Sequence, residues 1–178
     1  MIKNWKVNLK QRTASHGDSH SLHLLGSMIV PPPKPNDYEL FQGVGYYKFH
    51  HSKRVTFNEA QSICAKECGH LAIINSDEES NVLKIIYDRY VTSGGDLAFI
   101  GFYDRNEAQG FREFVTIFGQ PLNETGFMRW RGNDPNNGGG IEFCGCVFPD
   151  GLIGDVSCEV KASFFCEYDL SWHHPLPL

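Results

Sequence analysis

Residues 56–76 read Thr56-Phe57-Asn58-Glu59-Ala60-Gln61-Ser62-Ile63-Cys64-Ala65-Lys66-Glu67-Cys68-Gly69-His70-Leu71-Ala72-Ile73-Ile74-Asn75-Ser76. Thr56-x-x-Glu59 has the form of a capping box, in which hydroxyl and carboxylate satisfy free backbone donors of a first helical turn. Phe57, Ala60, Ile63 and Cys64 follow at helical spacing, and Gly69 is placed to end the helix. Residues 70–74 are a short apolar run and read as a buried strand. Ser76-x-x-Glu79 is a second capping box. Val82, Leu83, Ile86 and Tyr90 then mark a helix of about four turns that ends before Gly94-Gly95. Ala98-Phe99-Ile100-Gly101-Phe102 reads as another buried strand.

Working outward, the pattern changes on both sides. Gly45-Tyr46-Tyr47-Lys48-Phe49-His50 has strand composition. Beyond residue 103 no long helix is predicted. Short apolar pieces, Phe114-Val115-Thr116-Ile117 and Phe127-Met128-Arg129-Trp130, alternate with Gly, Pro, Asn and Asp. Strands return at 142–148 and 163–168, with a turn at Pro149-Asp150-Gly151. Two helices followed by strands argue an α+β fold with a mostly antiparallel sheet.

The chain has 178 residues, enough for one domain with tails. Hydrophobic residues at 41% and aromatics at 13% predict a packed core, and 18 Gly with 9 Pro predict many turns. Residues 1–33 carry Lys3, Lys6, Lys10 and Arg12 against Asp18 alone, which leaves +3; the net charge of −5 then puts −8 on the remainder. An acidic body argues against a protein held to nucleic acid by phosphate contacts. The first segment shows no apolar periodicity and reads as a flexible tail, 1–33, closed by the stiff Pro31-Pro32-Pro33-Lys34-Pro35. The body is 34–168, with a second tail at 169–178. No stretch approaches the roughly 20 apolar residues of a membrane span, and no secretory leader is read, because the apolar run at 22–30 is broken by His23.

Six cysteines, Cys64, Cys68, Cys144, Cys146, Cys158 and Cys166, in a turn-rich acidic body point to disulfides and a secreted protein. Their spacings are poor matches to zinc sites. Asn123-Glu124-Thr125 is an acceptor sequence for N-glycosylation at Asn123. The segment Arg131-Gly132-Asn133-Asp134-Pro135-Asn136-Asn137-Gly138-Gly139-Gly140-Ile141-Glu142 supplies carboxylates and amide oxygens, and Asp155 adds another carboxylate. Hard oxygen donors of this kind suit calcium. A cis peptide at Pro135 would turn the side chains of Asp134 and Asn136 the same way. Composition alone favours a plain turn-rich loop.

Residues of about 38–168 resemble a C-type lectin domain. Gly45-Tyr46-Tyr47 resembles the opening strand, and Phe99-Ile100-Gly101-Phe102 resembles the family's Trp-Ile-Gly-Leu motif with Phe for Trp. Trp130 precedes Asp134-Pro135-Asn136, which resembles Glu-Pro-Asn. Glu142-Phe143-Cys144 resembles Glu-Asp-Cys, Ile153-Gly154-Asp155 resembles Trp-Asn-Asp, and Phe165-Cys166-Glu167 resembles the closing strand. The subset most similar is the insect haemolymph lipopolysaccharide-binding proteins, through Tyr47-Lys48-Phe49-His50 and residues 70–76.

The resemblance implies the disulfides Cys64–Cys166 and Cys144–Cys158, with Cys68 and Cys146 left over. It implies a calcium ion, ligated by Asp134, Asn136, Glu142 and Asp155, that binds two vicinal sugar hydroxyls. The order at 134 and 136 resembles the mannose type. Two departures stand out: Asp134 is one methylene shorter than Glu, and Gly154 stands where an amide ligand is expected. Weakened calcium affinity is therefore implied, and restoring an amide by Gly154→Asn is expected to strengthen it. A second calcium site on Asp104, Glu107 and Asn137 is not expected, since Phe143 replaces a usual carboxylate. The expected function is a secreted calcium-dependent lectin for microbial glycans or lipopolysaccharide. The competing readings are a calcium-independent module binding protein or lipid, and a hydrolase using Asp134 and Glu142. A flexible Gly-rich loop supports catalytic geometry poorly, so no enzyme is expected.

Overall fold

The computed structural model describes residues 10–16, 19–25, 36–90, 97–106 and 110–168. The chain divides into two compact units, Met1–Pro33 and Lys34–Leu178. In the first, β1 (Lys10–His16) pairs antiparallel with β2 (Ser19–Leu25), Lys10 opposite Leu25 and His16 opposite Ser19. Apolar patterning gave this segment no element; backbone pairing supplies one. Pro31 to Pro35, Glu107 and the second tail, 169–178, lie outside the described residues.

The second unit is built on one sheet. Its strands are β3 (Glu39–Phe41), β4 (Gly45–Val55), β5 (His70–Leu71), β6 (Ala98–Asp104), β7 (Phe114–Thr116), β8 (Glu142–Val147), β9 (Ile153–Ser157) and β10 (Ala162–Tyr168). The main order is β3-β4-β10-β6-β8-β9, with β5 also on β10 and β7 also on β6. All these pairs are antiparallel except β10 with β6, where Phe164 lies beside Phe99. The two helices are α1 (Phe57–Lys66) and α2 (Asp77–Tyr90). The α+β class expected from the sequence is thus found.

The Thr56–Glu59 capping box is formed, with the Thr56 N–H donating to Glu59 Oε2 at 2.9 Å. Helix α1 buries Phe57, Ala60 and Cys64, each fully or almost fully withdrawn from water. Its end differs from the expectation. Cys68, at φ 62°, takes the left-handed position, while the N–H groups of Cys68 and Gly69 return to the carbonyls of Ala65 and Cys64. Gly69 is required for a different reason: a Cβ there would lie 2.5 Å from the Glu167 carbonyl oxygen. Helix α2 buries Val82, Leu83, Ile86 and Tyr87, whereas Tyr90, expected in that stripe, is exposed and stacks on His51 at 4.3 Å. Among the described residues no helix is long and apolar enough to cross a membrane.

The apolar run at 70–74 is strand only over β5. Past it, the Ala72 N–H still donates to the Phe165 carbonyl of β10 at 3.0 Å, but the N–H groups of Ile73 and Asn75 find carboxylates. Ile73 N–H donates to Glu167 Oε2 at 3.1 Å, and Asn75 N–H donates to Glu79 Oε2 at 2.7 Å. The second capping box is therefore half-formed: Ser76 Oγ accepts from the Glu79 N–H, but the Glu79 side chain turns inward to Tyr47 and Asn75. Phe127 to Trp130 is not a strand; Trp130 makes an isolated bridge to Ile153 and packs on Phe102 and Phe114.

Both disulfides expected from the resemblance are present. Cys64–Cys166 ties α1 to β10, and Cys144–Cys158 closes β8 onto the turn after β9. Cys68 is free and exposed; Cys146 is free and buried, and burial pushes its thiol pKa up.

Candidate functional site

The long loop between the bridge at Trp130 and β8 is anchored at its base. Arg131 N–H donates to the Ile153 carbonyl at 2.8 Å, and the Ile153 N–H donates to the Arg129 carbonyl at 2.9 Å. The Arg131 guanidinium lies over the Phe148 ring at 4.3 Å and pairs with Asp150 at 3.0 Å. The Asp134–Pro135 bond is cis. Asn136 Nδ2 donates to Asp134 Oδ1, so the two flanking side chains sit together.

The turn from 136 to 142 closes on its own side chains. Asn137, at φ 48°, uses its Oδ1 to accept the Glu142 N–H at 3.0 Å. Glu142 Oε2 accepts the Gly138 N–H at 2.6 Å. A Cβ built on Gly138 would lie 2.9 Å from Glu142 Oε2 and 3.2 Å from Asn136 Oδ1. These two oxygens therefore both border the small space beside the Gly138 Cα.

Asp155, on β9, lies beneath the loop with its side chain fully withdrawn from water. Its Oδ1 accepts the Asn136 N–H at 3.0 Å, and its Oδ2 accepts the Asn137 N–H at 2.8 Å. Oδ2 also accepts Arg112 Nη1 at 2.9 Å. Asp134 sits above Gly154: a Cβ there would lie 2.3 Å from Asp134 Oδ2 and 2.7 Å from Phe148 Cε2. The position that lacks the expected amide ligand is thus filled by the Asp134 carboxylate. Burial raises the pKa of Asp134, and the nearby Asp155 charge raises it further, against the lowering effect of the Asn136 hydrogen bond and the Arg131 charge.

All four residues singled out in the sequence are gathered in this one region. Their donors are three carboxylates and an amide, which suit a hard cation. One feature favours such an ion: the space shared by Asn136 Oδ1 and Glu142 Oε2. Asp155 Oδ1, with a single hydrogen bond, keeps a lone pair for it. The carboxylates are nonetheless spread. Among the described residues, only His50, Glu67 and Cys166 bring three such ligand atoms within 4.8 Å of one another, and Cys166 is committed to a disulfide. Glu67 there accepts Lys48 Nζ at 2.9 Å and contacts His50 Nε2 at 3.2 Å, which is a structural ion pair.

Sequence reasoning missed Arg112. Its Nε donates to Asp104 Oδ2, its Nη1 to Asp155 and its Nη2 to the Glu142 carbonyl at 2.7 Å. Asp104, named for the second calcium site, is buried; burial alone would raise its pKa, but the N–H groups of Asn106 and Glu113 and the Arg112 charge outweigh this and lower it. Asn123 is exposed in a short helical turn, Leu122–Glu124. Two hollows flank the loop. One, of about 740 Å³, is walled by Phe57, Tyr103, Ile117, Ile141 and Phe143; the other, of about 580 Å³, by Phe114, Met128, Trp130 and Pro135.

The chain is similar to known proteins in sequence and in fold. The hemolymph lipopolysaccharide-binding protein of Periplaneta americana is 42% identical over 176 residues, covering 93% of this chain and 67% of that protein. Pulmonary surfactant-associated protein D of Bos taurus is 32% identical over 143 residues, 80% of this chain but only 34% of that protein. The mouse scavenger receptor C-type lectin carbohydrate-recognition domain matches with a TM-score of 0.62 and 24% identity, over 80% of this chain and 99% of that one, a likeness of fold. The Lectin C-type domain family matches residues 53–168, from within β4 to the last residue of β10, and the chain belongs to that family.

Proposed function

We propose that this chain is a secreted, non-enzymatic lectin for microbial glycans or lipopolysaccharide, with a mannose-type site formed by Asp134, Asn136, Glu142 and Asp155. The observation that carries this reading is the shared space over Gly138, where Asn136 Oδ1 and Glu142 Oε2 converge beside Asp134. The matched relative named for lipopolysaccharide binding supports the ligand class. The disulfides and the exposed Asn123 sequon support secretion and glycosylation.

Calcium is the cation this donor set would hold, and when bound it would offer open coordination positions to two vicinal sugar hydroxyls. The chain's own contribution is hydrogen bonding. The carboxylates of Asp134 and Glu142 accept from sugar hydroxyls, and Asn136 Nδ2 donates to a sugar oxygen when it leaves Asp134. Asp155 holds the backbone of Asn136 and Asn137 in place beneath them. Apolar side chains in the two flanking hollows can take the carbon faces of further sugar units.

The test is a glycan array read with calcium and with chelator, beside calorimetry with mannose. Binding that is lost with chelator and with Glu142→Ala supports the reading. A second reading, the calcium-independent module, is favoured by one observation: Asp155 already has a cation, Arg112. No calcium binding in calorimetry and no array signal in either condition would select that module, which binds protein or lipid instead of sugar.

A further inference from the structure

Asp104 and Asp155 lie on different strands, β6 and β9, and their side chains are 1% and 0% exposed. Two buried carboxylates in one neighbourhood require a counter-charge. Arg112 supplies it to both, and its third contact, to the Glu142 carbonyl, reaches the first residue of β8. Its guanidinium also lies 4.7 Å from the Phe114 ring, which fixes the plane of the fork. Each carboxylate passes the connection on through two backbone N–H groups: Asn106 and Glu113 for Asp104, Asn136 and Asn137 for Asp155.

We propose that Arg112 is a positioning residue that acts as a built-in cation, holding the 134–142 loop in its binding shape without a bound metal. A divalent ion gathers oxygens from separated chain segments through its charge; Arg112 gathers three from three strands through charge and a planar set of donors. The loop it holds is the glycan site proposed above, so the inference rests on that reading for its functional meaning. In that case calcium would serve sugar contact and not loop folding.

The experiment is amide hydrogen exchange on the whole chain, with no glycan present, in chelator and in millimolar calcium. In wild type, Asn136 and Asn137 should already be well protected in chelator, and calcium should add only the protection that its own binding to the closed loop confers. In Arg112→Gln they should exchange about tenfold faster or more in chelator, as expected for loss of a charge-assisted hydrogen bond. Calcium should restore protection in that variant, because the vacated oxygens of Asp104, Asp155 and Glu142 then form a cluster open to an ion. A role in packing alone would give no such rescue. Amides of β4 and β10 serve as the control for global folding. Wild-type Asn136 and Asn137 amides that are unprotected in chelator would overturn the proposal, as would an Arg112→Gln variant with unchanged exchange or without rescue. Should Arg112→Gln fail to fold, wild-type protection in chelator still decides, and Arg112→Lys, which keeps charge but loses the fork, should show an intermediate loss. Failure of glycan binding would leave these rates untouched, so the two readings fail separately.

Discussion

Replacing Glu79 by Gln tests how a buried carboxyl shapes stability against pH. Glu79 is 1% exposed, accepts the Asn75 N–H and receives the Tyr47 hydroxyl. Burial raises its pKa from 4.5 to about 7, with the Glu167 charge as second cause, against the lowering effect of those hydrogen bonds. A carboxyl raised in the folded state is favourable to folding while protonated. Its contribution is fully present below pH 4.5, where both states hold the proton, and is lost as pH rises through about 7. The loss over that window is about 3 kcal/mol, from 1.36 kcal/mol per unit. Gln has the shape of the protonated acid and keeps one acceptor for Asn75. Urea denaturation of wild type and Glu79→Gln in metal-free buffer should give equal stabilities near pH 4 and a variant more stable by about 3 kcal/mol near pH 8. Other titrating groups are common to both proteins and drop out of the difference. A difference that does not change between pH 4 and pH 8 would show that the pKa of Glu79 is not raised in the fold, and would refute the reasoning.

Three further outcomes can be checked by the same denaturation. Cys68→Gly should stabilise the chain by about 0.5–1 kcal/mol, because glycine relieves the left-handed backbone at φ 62° that closes α1; an unchanged midpoint would contradict this. Gly154→Asn should destabilise by about 1–3 kcal/mol and weaken mannose binding, reversing the sequence-based expectation, since the new Cβ meets Asp134 and Phe148; tighter binding in calorimetry would count against the packing argument. Removing the Cys144–Cys158 bridge by Ser substitution should lower stability by about 3 kcal/mol in the loop-entropy account, given its sequence separation of 14; a loss several-fold smaller would point to residual order in the unfolded chain.

Much of the fold was legible because it is local. The Thr56–Glu59 box and the spacing of Phe57, Ala60 and Cys64 place α1 within its own residues, and β6 and β10 stand out as apolar runs. What was missed depends on partners far along the chain. β3 has exposed or half-buried residues and exists by pairing with β4, as Glu39 opposite Tyr47. β9 follows a turn so closely that Ile153-Gly154-Asp155 looks like its continuation, yet its register is set by β8. The pairing of β1 with β2 rests on backbone partners, Lys10 opposite Leu25, which no apolar pattern marks. The end of α1 was misjudged by one residue because a free Cys rarely takes the left-handed position that Gly favours.

The site was legible as a set of residue types but not as a set of contacts. Asp134, Asn136, Glu142 and Asp155 could be named from oxygen chemistry and resemblance. Arg112 could not, because it is eight residues from Asp104 and 43 from Asp155, and no local spacing marks a fork that spans three strands. The same limit governs Gly154 and Asp134. Read singly, one is a lost ligand and the other a shortened one, two separate weakenings of the same site. In the structure they fit each other, since the Asp134 carboxylate occupies the volume that a Cβ at 154 would need. Groups in such direct contact do not contribute independently. A longer acid at 134 or a side chain at 154, introduced alone, breaks this fit, so the donor strength of the loop cannot be obtained by subtracting a ligand at each position. It is set by the pair together, over a base that Arg112 keeps neutralised.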